Sequence, residues 1–162
     1  MDPVEQKPRQ PRKSKSGISL RTRALGMLAR REYSRLELER KLARYTENPD
    51  QIPGLLDDFE RRGWLSERRV VDQVTASRRR RFGAQRIVHE LREKGISESA
   101  VISAQRQLQE SELEAARAVW MKKFGKAASN ALERARQIRF MQSRGFTLET
   151  AMRVIKHGLI DE

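Results

Sequence analysis

Apolar residues recur every three to four positions from Leu20 onward, the spacing that gives an α-helix one buried face. Leu20, Ala24, Leu25 and Leu28 predict a first helix. Ser34 then stands three residues before Glu37. In that spacing the hydroxyl accepts from the Glu37 backbone N–H, and the carboxylate accepts from the Ser34 N–H. Leu38, Leu42 and Tyr45 mark the buried stripe of the helix so opened, and Asn48, Pro49 and Asp50 break it. Ile52, Leu55, Leu56 and Phe59 predict a third helix, with Pro53 and Gly54 in its first turn, where proline is tolerated. Strand-like alternation is nearly absent along the chain.

Glycines punctuate this pattern. Gly63 is followed by Trp64, Leu65 and Ser66, Gly95 by Ile96 and Ser97, Gly145 by Phe146 and Thr147, and Gly158 by Leu159, Ile160 and Asp161. A glycine tolerates the left-handed backbone just past a helix end, and the next apolar residue folds back on the finished helix. Ser, Thr or Asp then suits the cap of a following helix. Shifting Gly95 onto Gly145, an offset of 50 residues, places Val88 on Ile138, Leu91 on Met141, Ile96 on Phe146, Ser97 on Thr147 and Ile102 on Met152. An earlier, more divergent copy runs over residues 20–65, with a short insertion at residues 48–50. The expected architecture is all-α: three tandem three-helix, helix-turn-helix-like repeats over residues 18–65, 66–109 and 110–162, forming an elongated, curved array. A single irregular helical bundle is the competing architecture.

Residues 1–17 carry three of the five prolines with three lysines, two arginines and almost nothing apolar. They are expected to form a disordered basic tail, either a plain solvated arm or an auxiliary contact to an acidic polymer. The chain has 162 residues, 35 Lys and Arg against 22 Asp and Glu, and a formal net charge of +13. Leu, Ile, Val and Phe make up only 22% of it, so any core is lean. The basic excess calls for an acidic partner, nucleic acid or protein. Arginine outnumbers lysine 26 to 9, which suits bidentate contact with phosphate or carboxylate, although an arginine-rich proteome gives the same bias.

The absence of cysteine excludes disulfides, Cys-containing zinc fingers, iron–sulfur clusters and thiol nucleophiles. No apolar run reaches membrane-spanning length, and residues 1–17 lack the apolar stretch of a secretory signal, so the expected location is the cytoplasm. There is no phosphate-binding glycine loop. His89 and His157 lie far apart and read as helix-surface residues, whereas Asp57 and Asp58 read as a solvated face or as i+4 partners of Arg61 and Arg62. No catalytic, metal or cofactor site is expected. Leu113, Ala116, Trp120, Met121 and Phe124 share a helical spacing and read as core.

The cations are the better lead. Residues 60–94 hold 11 cations and 5 anions. Arg78, Arg79, Arg80 and Arg81 are consecutive, so on a helix they span nearly all azimuths and form a collar at its end, not a stripe. Cations there also complement the negative end of the helix dipole. Arg86, one turn into the next helix, extends the collar. Arg68, Arg69 and Arg92 complete the candidate partner-binding set, with Gly63, Gly83, Gly95 and Gly145 as structural helix junctions.

Residues 24–42 (ALGMLARREYSRLELERKL) and 62–97 (RGWLSERRVVDQVTASRRRRFGAQRIVHELREKGIS) resemble the RecX family of bacterial RecA regulators, and residues 136–155 (RQIRFMQSRGFTLETAMRVI) fit its third repeat. The resemblance covers about residues 20–157. It is most specific in the middle segment, where the glycine–aromatic–leucine turn, ASRRRRFG and ELREKGIS keep order and spacing. It implies a non-enzymatic, all-helical protein of three three-helix repeats that lies in the groove of the RecA filament on DNA. There it would inhibit ATP hydrolysis, strand exchange and co-protease function. Apart from the resemblance, a monomer without cofactor is expected. Residues 78–81, Phe82, Gly83, Arg86 and Arg92 match the family's most recognisable segment. The alternative from another class is a direct, nonspecific DNA- or RNA-binding helical protein, to which +13 alone gives affinity.

Overall fold

The computed structural model describes residues 17–157, which hold nine α-helices, one 3₁₀ turn and no strand. Of the expected basic tail only Gly17 lies among the described residues, and the Gly158 junction lies outside them. The chain divides into two compact units, one up to Ser66 and one from Glu67 onward.

The first unit contains α1 (Leu20–Leu28), α2 (Arg35–Ala43), a 3₁₀ turn (Pro49–Gln51) and α3 (Ile52–Arg61). The Ser34–Glu37 capping box forms, with both reciprocal bonds at 3.1–3.2 Å. Ala24, Tyr33, Leu38, Leu42, Ile52, Leu56, Phe59 and Leu65 make one apolar cluster. Tyr45 does not join it. Helix α2 ends at Ala43, so Tyr45 leaves the helical register; the residue is 41% exposed, with the Arg23 guanidinium 3.8 Å from its ring centre. Gly63 has φ +72°, and the N–H groups of Trp64 and Leu65 both donate to the Phe59 carbonyl. Leu65 is the residue that folds back; Trp64 stays 40% exposed.

The second unit contains α4 (Glu67–Arg78), α5 (Ala84–Glu93), α6 (Glu98–Glu110), α7 (Glu112–Lys123), α8 (Ala131–Ser143) and α9 (Leu148–His157). Its apolar residues form two clusters, one confined to α4–α6 with the turns between them and one to α7–α9. Gly95 (φ +75°) and Gly145 (φ +92°) each close the second helix of a triplet. Behind them Ile96 and Phe146 are buried, their N–H groups donating five residues back, to Leu91 and Met141. Gly63 is not equivalent, since it closes the third helix of its triplet. Gly125 (φ +64°), at the end of α7, is a further junction that the apolar pattern did not disclose.

Several expected core positions are on the surface. Ile102 and Met152 are 42% and 40% exposed, because the preceding residues, Val101 and Ala151, face the core and the next position turns about 100° outward. Leu113 and Met121 are exposed for the same rotational reason: α7 turns Ala116, Val119 and Trp120 inward. The Trp120 indole N–H donates to the buried Gln137 side chain, whose amide donates in turn to the Lys126 carbonyl. Ser97 does not cap α6 with its side chain; its N–H and hydroxyl both donate to Glu67. Thr147 does accept from the Thr150 N–H.

Candidate partner interface

Helix α4 ends at Arg78, and residues 79–81 turn the chain toward Phe82, Gly83 and α5. The four arginines then meet different fates. Arg78 places Nε and Nη2 on the Glu90 carboxylate at 3.0–3.1 Å, and those bonds hold its pKa above the ordinary arginine value. Arg79, expected as an exposed collar member, is instead largely buried: its side chain is 17% exposed. It donates to Glu112 at 2.8 Å, to the Leu108 carbonyl at 2.6 Å and to the Ser111 hydroxyl at 3.1 Å. Glu112 is itself buried and also accepts from the Ala84 N–H, so one carboxylate joins the α4 turn, the start of α5 and the start of α7. The reason is geometric, because residue 79 is where the turned chain passes the α6–α7 junction. Arg80 and Arg81 are exposed, and neither makes an ion pair among the described residues.

Arg86 donates to the Ser143 carbonyl at 3.1 Å and lies 4.1 Å over the Phe82 ring. Arg81 and Arg144 approach the same ring, and Arg144 and Lys123 approach Phe140. This is a row of cations supported by aromatic faces, an arrangement favourable by roughly 0.5–1 kcal/mol per exposed contact. Arg92 pairs with Glu98 at 2.8 Å; their hydrogen bond raises the arginine's pKa and lowers the carboxylate's. Arg68 and Arg69 are exposed in the first turn of α4, roughly 15 Å of helix axis from Arg78. The structure does not bring them to the collar.

The glycines explain why this region keeps its shape. Gly83 has an ordinary φ of −77°, and what it supplies is close approach. Its N–H donates to the Arg144 carbonyl at 2.7 Å, and a Cβ there would sit 2.4 Å from the Gly145 carbonyl oxygen. A Cβ on Gly145 would meet Arg86 at 2.5 Å. The α4–α5 turn therefore packs backbone to backbone on the α8–α9 turn.

An open cleft of about 390 Å³ lies beside the collar, bounded by Arg78, Arg81, Phe82, Arg86, Glu90 and Glu93. His89 lies on its wall, with Nε2 3.0 Å from Glu93. Among the described residues no three His, Cys, Asp or Glu side chains converge as a metal site, and no helix is long and apolar enough to cross a membrane. Of the acidic pair in α3, Asp58 binds Arg62, Arg61 and Arg21, and the Arg21 hydrogen bond leads in holding its carboxyl below the usual range. Asp57 pairs with Arg35, not with Arg61. Sequence reasoning missed Glu112, Arg144 and Lys123, whose distant partners Arg79, Phe82 and Phe140 lie 33, 62 and 17 residues away.

Two successive three-helix groups, joined through a glycine-packed turn pair and carrying a cationic surface, make the second unit a helical-repeat structure. Residues 66–104 match the family model for the second three-helix domain of RecX, and residues 110–155 match that for the third. The regulatory protein RecX of Ralstonia nicotianae is 42% identical over 96% of this chain and 95% of its own. That of Leptothrix cholodnii is 45% identical over 86% of this chain and 88% of its own. The crystal structure of RecX from Lactobacillus salivarius shares the fold, with a TM-score of 0.73 at 14% identity, covering 87% of this chain and 95% of that one. The chain belongs to the RecX family of regulatory proteins.

Proposed function

We propose that this chain is a modulator, mainly an inhibitor, of the RecA recombinase. It binds RecA filaments on DNA and lowers their ATPase, strand-exchange and co-protease activities. Family membership carries this reading, since the matched domains span the collar and the turn pair that holds it. The exposed Arg80 and Arg81 support it as cations the fold does not neutralise. The protein acts in the cytoplasm as a monomer without cofactor, with an auxiliary contact to DNA phosphates. The test is DNA-dependent ATP hydrolysis by RecA as the protein is titrated in. The expected result is a saturable fall in rate; an unchanged rate across the titration rejects the reading.

The net charge of +13 and the cation row over Phe82 and Phe140 favour one rival, direct nonspecific binding to nucleic acid. Affinity for bare single-stranded DNA against RecA-coated DNA separates the two. Equal affinities support the rival, and a clear preference for the coated form supports RecA as the target. Phosphate contacts also give a steep log–log salt dependence through counterion release.

A further inference from the structure

The cleft beside the collar is bipolar. Arg81 and Arg86 stand at one end, over the ring of the buried Phe82, and Glu93 lies toward the other, at the end of α5. Arg86 and Glu93 are seven residues apart on α5, so the two ends are separated by about 10 Å along the axis. The inner charges are matched internally, because Arg78 holds the Glu90 carboxylate with two nitrogens. The outer ones are not. Arg81 has no carboxylate partner among the described residues, and Arg86 is bonded only to a carbonyl. Glu93 is 67% exposed at the last position of α5, where a negative charge opposes the helix dipole, and its contact is to an exposed histidine.

We propose that this cleft receives an extended segment of the partner protein. The segment presents a carboxylate to Arg81 and Arg86 and offers a cation to Glu93. Three residues of extended chain cover the 10 Å or so between the ends. A phosphodiester strand does not fit, because its charge is of one sign throughout and Glu93 repels it. The inference rests on the proposed RecA reading and specifies what the filament must show at this contact.

The sign of one substitution decides the matter. Fluorescence anisotropy measures binding of the full chain, Glu93→Arg and Arg81→Glu to RecA-coated and to bare single-stranded DNA, with circular dichroism confirming equal helicity. Each variant is expected to bind RecA-coated DNA about tenfold more weakly. On bare DNA, Glu93→Arg is expected to bind as well as the parent or better. If Glu93→Arg tightens binding to RecA-coated DNA, or leaves it unchanged, the bipolar recognition is wrong while the RecA reading stands. If the parent itself shows no preference for RecA-coated DNA, the RecA reading fails and this proposal with it. A photo-crosslinking residue at His89 gives an independent readout. Adducts to a RecA peptide bearing both acidic and basic residues support the proposal, and adducts to DNA alone overturn it.

Discussion

Replacing Arg79 by Met removes the one guanidinium that Glu112 holds, while retaining most of the apolar stem. The Glu112 side chain is 8% exposed, and its remaining donor is the Ala84 N–H. Breaking a buried pair by removing one partner costs about 3–5 kcal/mol, because the other charge stays buried. That figure includes the loss to the Leu108 carbonyl, which Arg79 also satisfies. Glu112→Gln is milder. Its amide oxygen still accepts from Ala84, and Arg79 keeps Leu108 and Ser111, so the loss is that of one charge-assisted contact, about 1.5–3 kcal/mol. The double variant should lose less than the sum of the two, since each single change breaks the same bond. Urea unfolding followed by Trp120 fluorescence in a Trp64→Phe background reports the second unit alone. The midpoint should fall in the order given, with an unchanged slope. If Arg79→Met shifts stability by less than about 1 kcal/mol, the side chain behaves as an exposed surface cation, and the clamp is not a structural element.

The glycines divide by what a methyl group would meet. Gly83→Ala and Gly145→Ala should each destabilise by about 2 kcal/mol or more, because backbone atoms stand 2.4–2.8 Å from the new Cβ. Gly26→Ala, inside α1 with open space around it, should stabilise by about 0.5–1 kcal/mol; thermal melts of all three check the opposite signs. Gln137→Leu leaves the buried Trp120 N–H without its acceptor and should cost about 1–3 kcal/mol, read from the fluorescence transition. Asp58, held below its ordinary pKa chiefly by Arg21, contributes stability that is present above about pH 4 and lost as pH falls through its lowered folded value. Asp58→Asn should therefore be less stable than the parent at neutral pH, and the difference should close in acid.

Helix type and order were legible in the chain because they rest on local information. The Ser34–Glu37 box, the Pro53 first turn and the glycines at 95 and 145 each act within one turn of themselves. Which residue of an apolar pair faces inward was less legible. Ile102 and Val101 are equally apolar, and only packing decides that Val101 is the buried one. Glu112 gave no signal at all, since a carboxylate in the first turn of a helix is ordinary on electrostatic grounds. Its burial follows from a guanidinium 33 residues earlier that the turn after α4 delivers to it. Gly83 read as a junction, but close approach, not backbone sign, is what it supplies there.

The arginine run is where fold and function are hardest to separate. Four consecutive cations suggest one electrostatic purpose, yet Arg78 is matched by Glu90 and Arg79 by Glu112, within the protein's own second unit. Those two account for the run's position next to Phe82 and Gly83 without any partner, because they fix the turn that must pack on Gly145. Recognisability of the segment is thus partly a folding property. Among the described residues beside the cleft, Arg80 and Arg81 in the run and Arg86 and Arg144 on the Phe82 ring have no carboxylate partner, and Glu93 pairs only with His89; these are the charges we propose meet another molecule. Reversing the whole run would confound unfolding with lost binding. Changing Arg81 and Glu93 leaves the Arg79–Glu112 clamp intact, so a loss of affinity there reports recognition.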